Sequence, residues 1–95
     1  MKQFTEKISD MLLNVLIGHK FPYCESATCA DVLDWIIDAG FRVGIVRTEI
    51  YPKCVLNIAN SVKTASDHIC KNFTGESIKE CIEQAIIELA PRFEH

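Results

Sequence analysis

The hydrophobic period of this chain switches at Gly40, and that switch restricts its architecture more than any other feature. Up to Gly40 apolar residues recur at helical spacing. From Phe41 to Ala59 they alternate as in half-buried strands, and from Ser77 onward the helical spacing returns. A helix face and a sheet face must each be buried against another element, so a chain of this order is expected to be an α+β domain.

The closing segment is the most explicit. Ser77 and Glu80 form an S-x-x-E capping box, followed by Ile78, Cys81, Ile82, Ala85, Ile86 and Leu89 on one stripe, with Pro91 expected to stop the helix. The segment from Thr28 to Ala39 has the same design. Thr28 and Asp31 form a capping box, Cys29, Val32, Leu33, Ile36 and Ile37 form the apolar face, and Gly40 ends the helix. Asp31, Asp34 and Asp38 fall on the other side, as a solvated acidic face would. A first helix is expected from Phe4 to Ile17, with Phe4, Ile8, Met11, Leu12, Val15 and Leu16 on one face and Gly18 as its left-handed cap.

Between the helices the chain reads as strands. Phe41, Val43 and Ile45 alternate with Arg42 and Gly44 in a strand from Phe41 to Ile50, where Gly44 is expected to mark a bulge or a close backbone approach. Pro52 sets a reversal, after which Cys54, Leu56 and Ile58 take one face and Val55, Asn57 and Ala59 the other. Two strands so closely joined must pair antiparallel. The run "SVKTASDHICKNF" reads as loop in its first half, and "DHICKNF" is a candidate third, edge strand.

These elements predict a two-layer sandwich: two N-terminal helices, an antiparallel meander of two or three strands, and a C-terminal helix packed on the sheet. With 95 residues the chain is one domain, 1–95, that buries about two thirds of its unfolded surface. Its core is expected at 28–90, with the helix at 4–17 as an N-terminal extension lying at an edge or reaching toward a partner.

The formal charge of -3, from 10 basic and 13 acidic side chains, argues against a nucleic-acid binder, whose affinity comes from a concentrated basic face. A patch assembled from Arg42, Lys53, Lys63 and Lys71 is the way such binding would arise. The run "MLLNVLI" is far short of the roughly 20 residues of a membrane span. It also lacks the flanks of a secretory signal, so the chain reads as cytoplasmic.

The five cysteines, Cys24, Cys29, Cys54, Cys70 and Cys81, are then free thiols, most of them core fillers. His19, Cys24 and Cys29 cluster before the second helix and are the candidate metal ligands, with His68 and Cys70 as an H-x-C pair. Their spacing is looser than the knuckles that gather four donors around zinc. Cys29 at a helix start, with His19 or His68 near it, is the candidate nucleophile. No C-x-x-C, phosphate loop, G-x-S-x-G or H-E-x-x-H sequence occurs, and no cofactor is implied. Trp35 is expected to cover the edge of the core, or to anchor a partner as tryptophans at interfaces do. Phe4 and Met11, on the first helix, are the other candidate partner-binding residues.

The run "ADVLDWIIDAGFRVGIV", a hairpin, and then "FTGESIKECIEQAIIEL" together resemble small sandwich proteins of Bacteroides-type bacteria and their phages or mobile elements. The likeness covers about residues 28–90 and extends to the phage α-β-α sandwich and the αβββα double-stranded-RNA-binding fold. Gly75, Ser77 and Glu80 are also similar to the start of the closing helix of HicB-type antitoxins, with Cys81 in place of a small residue. That helix opens Glu76, Ser77, Ile78, Lys79, Glu80, without the basic start of the RNA-binding fold. The resulting expectation is a non-enzymatic interaction domain that binds a protein partner or itself. A HicB-like or other nucleic-acid-associated regulator is the alternative, and a thiol or metal site around Cys24 and Cys29 is a further one.

Overall fold

A computed structural model describes residues 5–23, 25–60 and 68–93. Phe4, Cys24, Lys63 and the first half of the run beginning at Ser61 lie outside them. The order is α1 (Asp10–Ile17), α2 (Cys29–Asp38), β1 (Phe41–Arg47), β2 (Cys54–Asn60), β3 (Cys70–Gly75) and α3 (Ile78–Phe93). The protein is α+β, and its strands form an antiparallel sheet in the order β1-β2-β3.

Continuous registers, Phe41 with Asn60 through Arg47 with Cys54 and then Cys54 with Gly75 through Ala59 with Cys70, separate two sheet faces. The inner face carries Phe41, Leu56, Ile58 and Phe73, all buried, with Val43 and Ile45 half-buried at its β1 side. The outer face carries Arg42, Gly44, Val46, Val55, Asn57, Ala59, Cys70, Asn72 and Thr74, none of them buried. Gly44 sits in regular pairing opposite Asn57, so the expected bulge is absent. A Cβ built there would lie an ordinary 3.8 Å from Asn57 Cβ.

α3 packs on β2 and β3, α2 packs on β1 and α3, and α1 packs on α3. The capping box predicted at Thr28 and Asp31 forms in full, and that predicted at Ser77 and Glu80 forms in half. Asp31 N donates to Thr28 Oγ1 at 3.3 Å while Thr28 N donates to Asp31 Oδ2 at 2.9 Å. Glu80 N likewise donates to Ser77 Oγ at 3.3 Å, but the Glu80 carboxylate reaches one residue further back, accepting from Glu76 N at 2.6 Å.

Several local readings are corrected by long-range contacts. The first helix starts at Asp10 rather than Phe4, because the chain before it is held extended: Ile8 N donates to Ala27 O at 2.8 Å and Cys29 N to Glu6 O at 2.9 Å. Ser9 N then donates to Glu83 Oε2 of α3 at 3.0 Å. The buried face of α1 is Leu12, Leu13 and Leu16, with Val15 turned outward, because the groove it meets is offered by α3. Gly18 stays right-handed at φ -63° and the left-handed residue is Lys20, at φ 70°; Gly40, at φ 97°, turns the chain into β1 as expected.

Pro91 does not stop the last helix, which runs on to Phe93. A proline removes its own bond to the carbonyl four residues back and crowds that carbonyl with its ring. Here that carbonyl belongs to Ile87, on the solvent side of the helix, while Phe93 is fully buried. The lost bond and the crowding of the Ile87 carbonyl are outweighed by an aromatic ring in the core.

Candidate protein-interaction surface

Four rings join α3 to the rest of the core. Trp35 meets Phe21 edge-on at 5.3 Å and Phe93 at 5.9 Å, and Phe93 meets Phe41 at 5.1 Å. Trp35 is therefore a core residue, 5 % exposed, and one flank of α2 is turned inward with it while Ile37 on the opposite flank is exposed. The visible edge of Trp35 forms part of a shallow groove of about 260 Å³ with Lys20, Pro22, Tyr23, Asp31, Asp34 and Asp38. One of its three carboxylates, Asp31, is already engaged as a helix cap.

The remaining sequence candidates are dispersed in character. His19 is half-buried just past α1, Cys29 is fully buried, Cys24 lies outside the described residues, and His68 and Cys70 are exposed. Among the described residues no group of three or more His, Cys, Asp or Glu is placed to hold a metal ion. Burial, then the charge of Glu6, pushes the Cys29 thiol up to about 11. Burial, then a hydrogen bond with the Cys54 side chain, pushes Cys81 up to about 12. A thiol held above its ordinary range is the protonated, weakly nucleophilic form. Cys81 Sγ lies 3.5 Å from the Cys54 carbonyl oxygen, which accepts its proton, so these thiols fill space and close local hydrogen bonds.

Met11, a sequence candidate, is 76 % exposed on the outer side of α1, and Phe4 lies outside the described residues. The larger apolar exposure is one that sequence reasoning missed. In the β1–β2 loop Ile50 is 78 % and Tyr51 71 % exposed, and Val46 at the adjoining end of β1 is 59 % exposed beside half-buried Val55. The available signal was an Ile-Tyr pair next to the reversing proline, where polar residues are the rule. Counting Ile50 into the strand concealed it.

This loop is braced from within. Thr48 N donates to Lys53 O at 2.9 Å, and Thr48 Oγ1 lies 2.6 Å and 2.7 Å from the carbonyl oxygens of Ile50 and Pro52, which share its single proton. Two bulky apolar side chains are thus presented on an ordered turn. Presenting them already ordered lowers the entropy cost of binding a partner.

The charges are spread thinly. The outer sheet face has Arg42 as its one cation among the described residues, and it has no aromatic ring. Lys53 pairs with Glu76 at 3.8 Å and Lys71 with Glu88, so two cations of the predicted basic patch are already opposed by carboxylates. No helix among the described residues is long and apolar enough to cross a membrane.

Comparison with protein-family models, with curated proteins and with solved structures finds no match to this chain.

Proposed function

We propose that this chain is a non-enzymatic protein-interaction domain of two-layer α+β build, with α2 and α3 covering the inner sheet face, and that it engages its partner at the β1–β2 end of the sheet. The observation that carries the reading is the pair Ile50 and Tyr51, both largely exposed on a loop that Thr48 holds in one shape. Exposed aromatic and aliphatic anchors on rigid supports are where interfaces concentrate their binding energy. The buried, protonated state of Cys29 and Cys81 argues against thiol catalysis at those residues. Nucleic-acid binding finds less support, because among the described residues the outer face has one cation and no stacking ring, which supplies neither phosphate neutralisation nor base stacking.

A photo-reactive phenylalanine analogue in place of Tyr51 tests this in cells that make the full chain. A discrete covalent protein adduct is expected, lost when Ile50→Ser is added, with none from the same group at exposed Asn14. No adduct from position 51, or equal adducts from both positions, would overturn the reading.

A further inference from the structure

We propose that the partner is a second copy of this chain, joined along β1 by antiparallel strand pairing about Gly44 to make one continuous six-stranded sheet (three strands from each copy). This rests on the protein-interaction reading, names its partner, and extends the contact from the β1–β2 end along the β1 edge. The hydrogen-bond pattern supplies the first step. Because Thr48 N donates to Lys53 O, the residues of the same parity, Arg42, Gly44 and Val46, spend their backbone groups on β2. Phe41, Val43, Ile45 and Arg47 therefore turn their N–H and C=O groups away from the sheet. Among the described residues no hydrogen bond reaches those outward groups.

The two edges of the sheet differ. On β3 the outward groups are those of Cys70, Asn72 and Thr74, since Asn60 N donates to Ile69 O and sets the opposite parity there. Gln84 of α3 reaches over and donates to the Thr74 carbonyl at 2.6 Å, and Lys71 places a charge, paired with Glu88, along the same edge. Those are the devices by which proteins block edge pairing. β1 carries Arg42 and Arg47, but no helix residue hydrogen-bonds along it: its register is unbroken, it contains no proline, and among the described residues no hydrogen bond reaches its outward carbonyls.

The sequence of β1 suits its own copy. With the axis at Gly44, Phe41 of one chain pairs with Arg47 of the other and Val43 with Ile45, each pair made of outward-facing residues. Arg42 falls opposite Val46, so no like charges are opposed, and every residue of the strand is used. Gly44 meets Gly44 on the axis, and the single chain shows no backbone or packing need for a glycine there. Val43 and Ile45 are left half-buried on the helix side, and Ile37, 51 % exposed, stands on the flank of α2 opposite Trp35. A second copy would cover these with the same residues of its own.

Sedimentation velocity on the full chain from micromolar to millimolar concentration is the test, with amide exchange measured at both ends. A dimer is expected to form with concentration, and the amides of Val43, Ile45 and Arg47 to gain protection while those of Asn72 and Thr74 do not. Ile45→Pro removes an outward N–H that β2 does not use, so it should abolish the dimer with its circular dichroism retained. Val46→Glu, which does not depend on that variant folding, places a carboxylate opposite Arg42 of the second copy at both symmetric pairs. It should tighten the dimer by about 2- to 30-fold, and Val46→Lys should loosen it by a similar factor. A chain monomeric at millimolar concentration, a dimer whose β1 amides stay unprotected, or Val46→Glu and Val46→Lys acting in the same direction would each overturn β1 pairing. The broader reading fails separately, through the Tyr51 adduct: a monomer that still gives that adduct with another protein sinks the self-pairing alone.

Discussion

Replacing Phe93 by alanine tests the claim that the core depends on a turn of helix beyond a proline. Phe93 is fully buried, with its ring edge-on to Trp35 at 5.9 Å and to Phe41 at 5.1 Å. Removing the ring forfeits about 1.5–3 kcal/mol of burial, and each edge-to-face partner adds about 0.5–1.5 kcal/mol. Some relaxation follows near the end of α3, so the expected loss is about 3–5 kcal/mol, as for other Phe-to-Ala changes in cores. A domain of this length has about 5–14 kcal/mol in total, and its unfolding entropy of roughly 0.2 kcal/mol per kelvin converts the loss to a fall of about 15–25 °C in Tm. Urea titration followed by fluorescence is the assay, because Trp35 is the chain's one tryptophan and touches the ring being removed. Native emission should move to the red in Phe93→Ala, and Phe93→Leu should lose about 1–2 kcal/mol with a smaller spectral change. A loss below about 1 kcal/mol with unchanged emission would refute the claim that the last turn closes the core.

Pro91→Ala should raise stability by about 1 kcal/mol in the same titration, since the helix continues past a residue that withholds a donor; a fall would show that the proline is needed. Gly40→Ala forces a side chain onto a φ of 97° and should cost about 1–2 kcal/mol, with an unchanged midpoint as the contrary result. Of Cys29, Cys54, Cys70 and Cys81, only Cys70 should be alkylated rapidly in the native state, read by peptide mass spectrometry; rapid labelling of Cys29 or Cys81 would contradict their burial. Stability should also fall at high pH. Cys29 and Cys81 sit at about 11 and about 12 when folded, against 9.0 when free, so the folded chain holds more protons. The stability they confer is whole below about pH 9 and is lost as pH rises through 11 to 12, an effect that Cys81→Ala should diminish.

Signals made of neighbouring residues were readable from the sequence. The Thr28–Asp31 capping box and the Ser77 cap on Glu80 N join residues three apart, Gly40 acts within one turn, and the alternation of Cys54, Leu56 and Ile58 follows directly from the strand pleat. The third strand, Cys70–Gly75, overlaps the candidate edge strand "DHICKNF" and runs two residues beyond its end at Phe73. What failed was the choice among residues at the margin of a stripe. Leu13 and Trp35 are buried where Met11, Val15 and Ile37 were expected, because a helical stripe fixes a face only to within about a residue and the neighbouring helix selects the flank. Of the candidate site, Met11 was named as a partner-binding residue although helical spacing put it on the apolar face, and the Ile50–Tyr51 turn was not legible, since it depends on β1 ending at Arg47 and on Thr48 bracing the loop.

The sequence by itself therefore determined the element types, their order, their caps and the antiparallel sense of the hairpin, all set by interactions that act over a few residues. The tertiary structure alone decided where α1 begins, that α3 outlasts Pro91, and that Gln84 reaches the β3 edge while the outward groups of β1 meet no hydrogen bond among the described residues. Each of these turns on a contact between residues far apart in the chain. Ser9 N to Glu83, Trp35 to Phe93 and Thr74 to Gln84 gain their energy only once distant segments have met, and no local pattern records them.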